Sequence, residues 1–209
     1  MQKILSENEK AKRLAFCKKY RNLEWRRVMF SDEVRKPAYT RCKVMFWIAI
    51  THKQMLRPVM ILGPQTRHTY IKDCLTPVVK PYHDTYPNMI YQQDGAPAHM
   101  AKSVQTWFQD NNIETLKWPV NSPDLDILGD LWEILKAEIR CFNGIGAKHG
   151  EEMLSVINEA WDRISRAHPL LLEMLYKDME RRISECIKMK GGVIENKFAD
   201  KWINIMKNK

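Results

Sequence analysis

The sequence predicts a mixed α/β layer fold, a β-sheet flanked by helices and followed by a helical C-terminal extension. Three observations carry this. Short β-rich apolar runs alternate with segments of helical length through the first two thirds of the chain. Two of those runs end in an aspartate. From Gly150 to about Met189 the chain is rich in Leu, Met and Ile at helical spacing. Strands followed by helices in this order fit a layered sheet better than a bundle or a sandwich.

The elements follow in order. Ser6 ahead of Glu7 and Glu9 reads as a helix start, and Leu14, Phe16, Cys17 and Tyr20 give the segment an apolar face. Arg27 to Asp32 is a short apolar run that presents an acid at its end, as a buried strand does. Cys42 to Ile50 is nearly continuous apolar sequence, the signature of a central strand. Arg57 to Leu62 is a third strand, reached through a hairpin near Thr51–Gln54. Thr69 to Tyr82 has helical spacing despite Pro77. Met89 to Asp94 is a fourth strand, again ending in an acid. Ala101 to Asn111 is a helix, Ile113 to Trp118 alternates like a strand, and Leu125 to Cys141 is a long helix. The tail after Gly191-Gly192 reads as a further helix or as poorly ordered chain. The expected division is a basic helix over 1–25, a sheet-containing unit over 26–145, and helices over 146–209 that extend the same domain.

Composition narrows the class. The chain has 209 residues and is 44% hydrophobic, enough for one real core. No run of about 18 apolar residues is present, so no membrane span is expected. The charged start, MQKILSENEKAKRL, does not read as a signal peptide. Five scattered cysteines form neither a C-x-x-C pair nor a zinc-ligand spacing with histidine, so reduced thiols in an intracellular, nuclear setting are expected. The formal charge is +9, which favours a polyanionic partner because lysine and arginine displace counterions from phosphates. Basic residues crowd the segment from Lys10 to Arg27 and again around Arg181, Arg182, Lys188 and Lys190.

Asp32 and Asp94 are the candidate chemistry. Adjacent strands can bring two such carboxylates within a few ångströms, where they repel unless a cation lies between them. Oxygen ligands of this kind suit Mg²⁺ or Mn²⁺. Spacing alone does not separate that reading from two aspartates that merely end their strands.

Longer motifs do. Phe30-Ser31-Asp32-Glu33 resembles the first acidic motif of mariner-superfamily transposases, and Gln92-Gln93-Asp94-Gly95-Ala96-Pro97-Ala98-His99 resembles the second. Trp118-Pro119, Ser122-Pro123-Asp124-Leu125 and Leu131-Trp132 resemble the third. Met179-Glu180-Arg181-Arg182-Ile183 and Lys188-x-Lys190-Gly191-Gly192 resemble the family's C-terminal signature. The resemblance implies an RNase H-like fold and a DDE-type recombinase. Such an enzyme cleaves DNA at transposon ends and joins the freed 3′ hydroxyl to a target strand. It implies Mg²⁺ or Mn²⁺ in a two-metal site held by three acids, with no small-molecule cofactor. Its implied partners are DNA and a second copy of the chain, as a homodimer.

Carried over by motif, Asp32 and Asp94 are catalytic, metal-binding acids. The third acid falls after a gap of 34 residues, at position 129, which is glycine. Glycine supplies no side-chain ligand and weakens a helix by roughly 1 kcal/mol against alanine. Asp130 lies about 100° around the helix and is expected to point away. Asp126 is one turn earlier on nearly the same face. It reads as the helix N-cap, with substitution for the lost ligand as the alternative. His99 belongs to the active-site loop, either contacting DNA or opening a helix. Lys102, Arg181, Arg182, Lys188 and Lys190 are the further DNA-binding candidates. Asp124 is expected to shape its turn, and Trp118 and Trp132 to pack in the core.

Two further departures stand out. The stretch between Asp32 and Cys42 is much shorter than the family's, and the helix-turn-helix modules that read transposon ends do not occur in this sequence. The expected function is therefore a transposase catalytic domain that binds DNA nonspecifically and is catalytically impaired. An active nuclease using Asp126, or a module retained for protein interaction, are the alternatives.

Overall fold

In the computed structural model, residues 4–35, 45–141 and 150–207 are described. The shortened stretch after Asp32 and the first residues of the strand expected from Cys42 lie largely outside them.

Five strands form the sheet: β1 (Val28–Arg35), β2 (Met45–Ile50), β3 (Val59–Ile61), β4 (Ile90–Gln92) and β5 (Glu114–Thr115), in the order β3-β2-β1-β4-β5. β1–β2 and β2–β3 pair antiparallel, and β1–β4 and β4–β5 pair parallel. This mixed sheet with flanking helices is the expected fold class. The turn at Thr51 is the expected hairpin, closed by the Thr51 amide donating to the Gln54 carbonyl at 2.9 Å.

Alternation along the strands sends successive side chains to opposite faces. Val28, Phe30, Phe46, Ile48, Ile50 and Ile90 join one buried cluster, while Met29, Trp47, Ala49, Met89 and Tyr91 join another. α5 (Ile127–Cys141) covers the first face, with Ile127, Leu128, Leu131, Ile134 and Leu135 buried at helical spacing. α1 (Glu7–Lys19), α6 (Gly150–Ala167), α7 (Leu171–Lys188) and α8 (Phe198–Lys207) extend that same cluster. The C-terminal helices thus share one core with the sheet, and the tail after Gly192 ends in a helix. α4 (Lys102–Asp110) packs on the second face. So does a helical run expected from Thr69 to Tyr82. That run starts earlier, as α2 (Arg67–Thr69). It widens to π-type turns over Tyr70–Val79, where Pro77 sits, and ends as α3 (Lys80–Thr85). Proline lacks an amide, and the wider winding carries the chain past it.

α1 begins at Ser6, the expected helix start, on a capping box. The Ser6 side chain accepts from the Glu9 amide at 3.3 Å, and the Glu9 carboxylate accepts from the Ser6 amide at 2.7 Å. Arg13, one of the basic residues crowded between Lys10 and Arg27, is fully buried. Its Nη1 and Nη2 donate to Asp124 at 2.8 and 2.6 Å, its Nε donates to the Gly191 carbonyl at 2.8 Å, and Nη2 also reaches the Gly192 carbonyl at 3.0 Å. Asp124 accepts in addition from the Ile194 amide at 2.9 Å. The turn-shaping role expected of Asp124 is this ion pair.

Arg182 is the second correction. It was a DNA-binding candidate, but it has no exposed surface. Nη1 donates to the Asp124 and Asp126 carbonyls at 3.1 Å each, and Nε donates to Asp178 at 2.8 Å. Nη2 meets Asp130, which points away from the cleft as expected and also accepts from Asn196 at 2.7 Å. A guanidinium buried beside acids is fixed, since leaving either charge alone costs several kcal/mol.

Gly191 shows why the double glycine is needed. Its φ is +85°, and a Cβ there would lie 2.0 Å from the Lys10 carbonyl oxygen. Arg182→Ala is expected to lose about 3–5 kcal/mol of stability, against under about 0.5 kcal/mol for exposed Arg181→Ala. Gly191→Ala is expected to separate α1 from the end of α7 and lower the melting temperature as well. Thermal unfolding of the three variants checks these values.

Candidate active site

Register builds the site. Val28, Met29 and Phe30 of β1 stand beside Ile90, Tyr91 and Gln92 of β4, and continuing that parallel register places Asp94 alongside Asp32. β4 stops at Gln92, whereas β1 runs on to Arg35 paired with β2. Asp32 therefore lies within its strand, not at its end, but at the point where the sheet splits. Its side chain shares parity with Val28 and Phe30 and so faces α5. The loop 119–123 and the start of α5 close an open cleft of about 440 Å³. Asp32, Asp94, Asp126 and Gly129 all line it.

Each acid is held by one oxygen. Asp32 Oδ1 accepts from the Glu33 amide at 2.8 Å. Asp94 Oδ1 accepts from the Ala96 amide at 2.9 Å and from His99 Nδ1 at 2.7 Å. Neither Oδ2 has a hydrogen-bond partner among the described residues. Two carboxylate edges thus remain for an oxygen-seeking cation. Burial, then Asp126 and Glu33, and more weakly Asp94, push the Asp32 carboxyl up to about 8. That fits a site whose acids await a positive charge.

His99 is the residue whose place differs most from the two roles expected of it. It is 2% exposed and touches no open surface for DNA. Nδ1 faces Asp94, and Nε2 faces Glu33 Oε1 at 3.1 Å. Its ring also lies against Tyr70, with centroids 4.3 Å apart. Against the cost of burial, the two carboxylates raise His99 to about 9, and its charge in turn holds Asp94 below the usual carboxylate range. The Glu33, Asp94 and His99 ligand atoms lie within 4.8 Å of one another, a spacing that could hold a metal. Both imidazole nitrogens are already engaged, however, so the trio is an ionic clamp on Asp94. The sequence reading missed Glu33 in this part. The signal was the acid directly after Asp32, which alternation turns to the opposite face.

At the third position, Gly129 sits exposed in the first turn of α5 with nothing within 4 Å of a built Cβ. Asp126 is the expected N-cap, its Oδ1 accepting from the Leu128 amide at 2.9 Å. It also faces the same cleft, and burial raises its carboxyl to about 6. One side chain thus caps the helix and lines the cleft.

The remaining candidates lie apart. Lys102 is exposed beside Arg67 and His68 on a shallow surface. Arg181 is bound to Asp178 and Glu185, and Lys188 and Lys190 are exposed at the end of α7. Trp132 is buried and Trp118 packs against the core, as expected. No described helix is long and apolar enough to cross a membrane.

Two acids at a sheet split, with a third position on the helix across from them, define the class. Residues 18–148 match the DDE superfamily endonuclease family, and the chain belongs to it. Within it, the chain is similar to transposases of the Tc1/mariner type. It is 27% identical to the Caenorhabditis elegans transposable element Tc3 transposase over 91% of this chain and 64% of that one. It is 27% identical to the Caenorhabditis briggsae Tcb1 transposase over 71% of this chain and 52% of that one. The chain thus spans between about half and two thirds of these relatives. The catalytic domain of Mos1 transposase, solved with raltegravir and Mn, superposes with a TM-score of 0.77 at 16% identity. That match covers 92% of this chain and all of that one. A Mos1 paired-end complex with left transposon end matches with a TM-score of 0.73 at 16% identity, over 92% of this chain and 65% of that one. The fold is therefore RNase H-like in the sense of the Mos1 catalytic domain.

Asp32 contributes stability that is present below about pH 4 and lost as pH rises through about 8, because its carboxyl binds its proton more tightly folded than unfolded. With chelator at pH 8, Asp32→Asn is expected to melt at higher temperature than the native chain. Mg²⁺ or Mn²⁺ should raise the native melting temperature and leave the variant's unchanged. A native melting temperature indifferent to both pH and metal would contradict this account of the cleft.

Proposed function

We propose that the chain is a Tc1/mariner-type catalytic domain that retains a divalent-metal edge on Asp32 and Asp94 and binds DNA nonspecifically, with strand cleavage and joining impaired. One observation carries the reading: the third ligand position is Gly129, exposed on the cleft with open space where a carboxylate belongs. The donor set fits Mg²⁺ or Mn²⁺, since two free carboxylate oxygens face one cleft. When bound, such ions activate a water or hydroxyl and stabilise the leaving oxygen. His99 and Glu33 fix the Asp94 carboxylate, and α5 presents positions 126 and 129 toward it. With one acid missing, the protein supplies too few oxygens to order two ions.

Supporting the transposase setting are the Mos1 relatives solved with Mn, with Mg and in paired-end and strand-transfer complexes. Homodimer assembly on DNA and a nuclear location belong to the same proposal.

Asp126 gives the second reading a specific footing. It lines the cleft, and its charge is the foremost electrostatic influence on Asp32. Its cap to Leu128 occupies only Oδ1. On this reading Oδ2 takes the place of the missing acid and a weak nuclease survives.

Mn²⁺-dependent nicking of supercoiled DNA separates the two. The native chain and Gly129→Ala are expected to show little nicking, with Gly129→Ala more stable by about 1 kcal/mol. Gly129→Glu is expected to nick at least about tenfold faster, equivalent to about 1.4 kcal/mol of transition-state stabilisation. Robust native nicking that disappears in Asp126→Ala would establish the second reading instead.

A further inference from the structure

At the opposite end of the sheet from Asp32 and Asp94 lies another cleft, of about 260 Å³, lined where β1 begins and β4 is about to begin. Its wall and floor include Val28, Met89, Tyr82 and Tyr86. The tyrosine rings lie with centroids 4.7 Å apart, and Tyr86 is 40% exposed. Three cations, Arg26, Arg27 and Lys53, stand on the lining, and no acid does.

These cations are poorly neutralised. Arg27 donates Nε to the Asn88 carbonyl at 2.9 Å, which aims the guanidinium, and its terminal nitrogens have no protein partner among the described residues. Arg26 reaches Glu173 only at 3.4 Å, with both side chains more than half exposed, a pair of little worth in water. Lys53 has no carboxylate partner among the described residues and rests over the Tyr86 ring at 4.5 Å. His52, also on the wall, has a buried Nδ1 without a hydrogen-bond partner.

A cavity with aromatic and aliphatic walls, a basic rim and a free polar nitrogen matches a ring beside a phosphate. We propose that it takes one unpaired nucleotide of a DNA strand, its base against Tyr82 and Tyr86 and its phosphate on Arg26, Arg27 and Lys53. Base-paired DNA cannot enter, because its bases are stacked on their neighbours and only its phosphates reach the rim. The choice of DNA rests on the functional reading above. The site itself is independent of cleavage, since it lies at the far end of β1 from the acids and needs no metal.

The test uses the native chain in chelator, with a 12-nucleotide single strand and its 12-base-pair duplex as probes, read by fluorescence anisotropy. Tyr86→Ala is expected to weaken single-strand binding at least about fivefold while leaving duplex binding unchanged. Arg26→Ala/Lys53→Ala should lower the slope of log affinity against log salt by about 0.7, one phosphate's worth. A single strand carrying 5-iododeoxyuridine, photocrosslinked and mapped by mass spectrometry, should mark Tyr82 or Tyr86. Crosslinks confined to other segments would overturn the proposal. So would equal single-strand affinity for native and Tyr86→Ala, or competition by free deoxythymidine monophosphate as effective as the oligonucleotide. The nicking outcomes at the acidic cleft, by contrast, bear on the function proposed above and not on this pocket.

Discussion

Two buried guanidiniums hold the loop from Asp124 to Asp126, and the geometry of the acidic cleft depends on them. Arg13 comes from the first helix and Arg182 from the seventh, yet they converge on Asp124, Arg13 on its carboxylate and Arg182 on its carbonyl and that of Asp126. Arg13 neutralises Asp124, and Arg182 neutralises Asp130 in the first turn of α5. The start of α5 is thereby fixed over the sheet, and with it positions 126 and 129. A hydrophobic contact would leave the helix free to slide or rotate slightly. A planar donor fork binding carbonyls and carboxylates at once specifies both.

The same grip explains why residues far apart in sequence share one structural task. Gly191 and Gly192 supply carbonyls to Arg13, and the left-handed backbone of Gly191 lets α1 pass within contact of the end of α7. Three segments that read as a basic helix, a proline turn and a glycine stop are one polar junction. Its charges are satisfied internally, so it contributes shape to the cleft.

On the other side of the cleft, Asp94 is held as firmly. A charged His99 between Asp94 and Glu33 fixes one oxygen of Asp94 and leaves the other without a hydrogen-bond partner among the described residues. The site thus has two well-anchored acids and a well-anchored helix carrying no acid at the third position. The scaffold around position 129 is intact.

Much of this was legible from residue order. Apolar runs located the strands of the sheet, and the motif spacing located Asp32, Asp94 and Gly129. The helix start at Ser6 and the N-cap at Asp126 were equally local, because a cap is made within three residues. What the sequence could not decide was the fate of its charges. Arg13 and Arg182 look like their exposed neighbours Lys12 and Arg181, since periodicity does not say which polar residue a distant segment will meet. His99 looked like a loop residue because its partner Glu33 lies on another strand. The sequence by itself determined the fold class, the two acids and the empty third position, all of which rest on local pattern and fixed spacing. Only the tertiary structure decided which cations face solvent and which lock the active-site helix, because burial of a charge depends on partners brought together by folding.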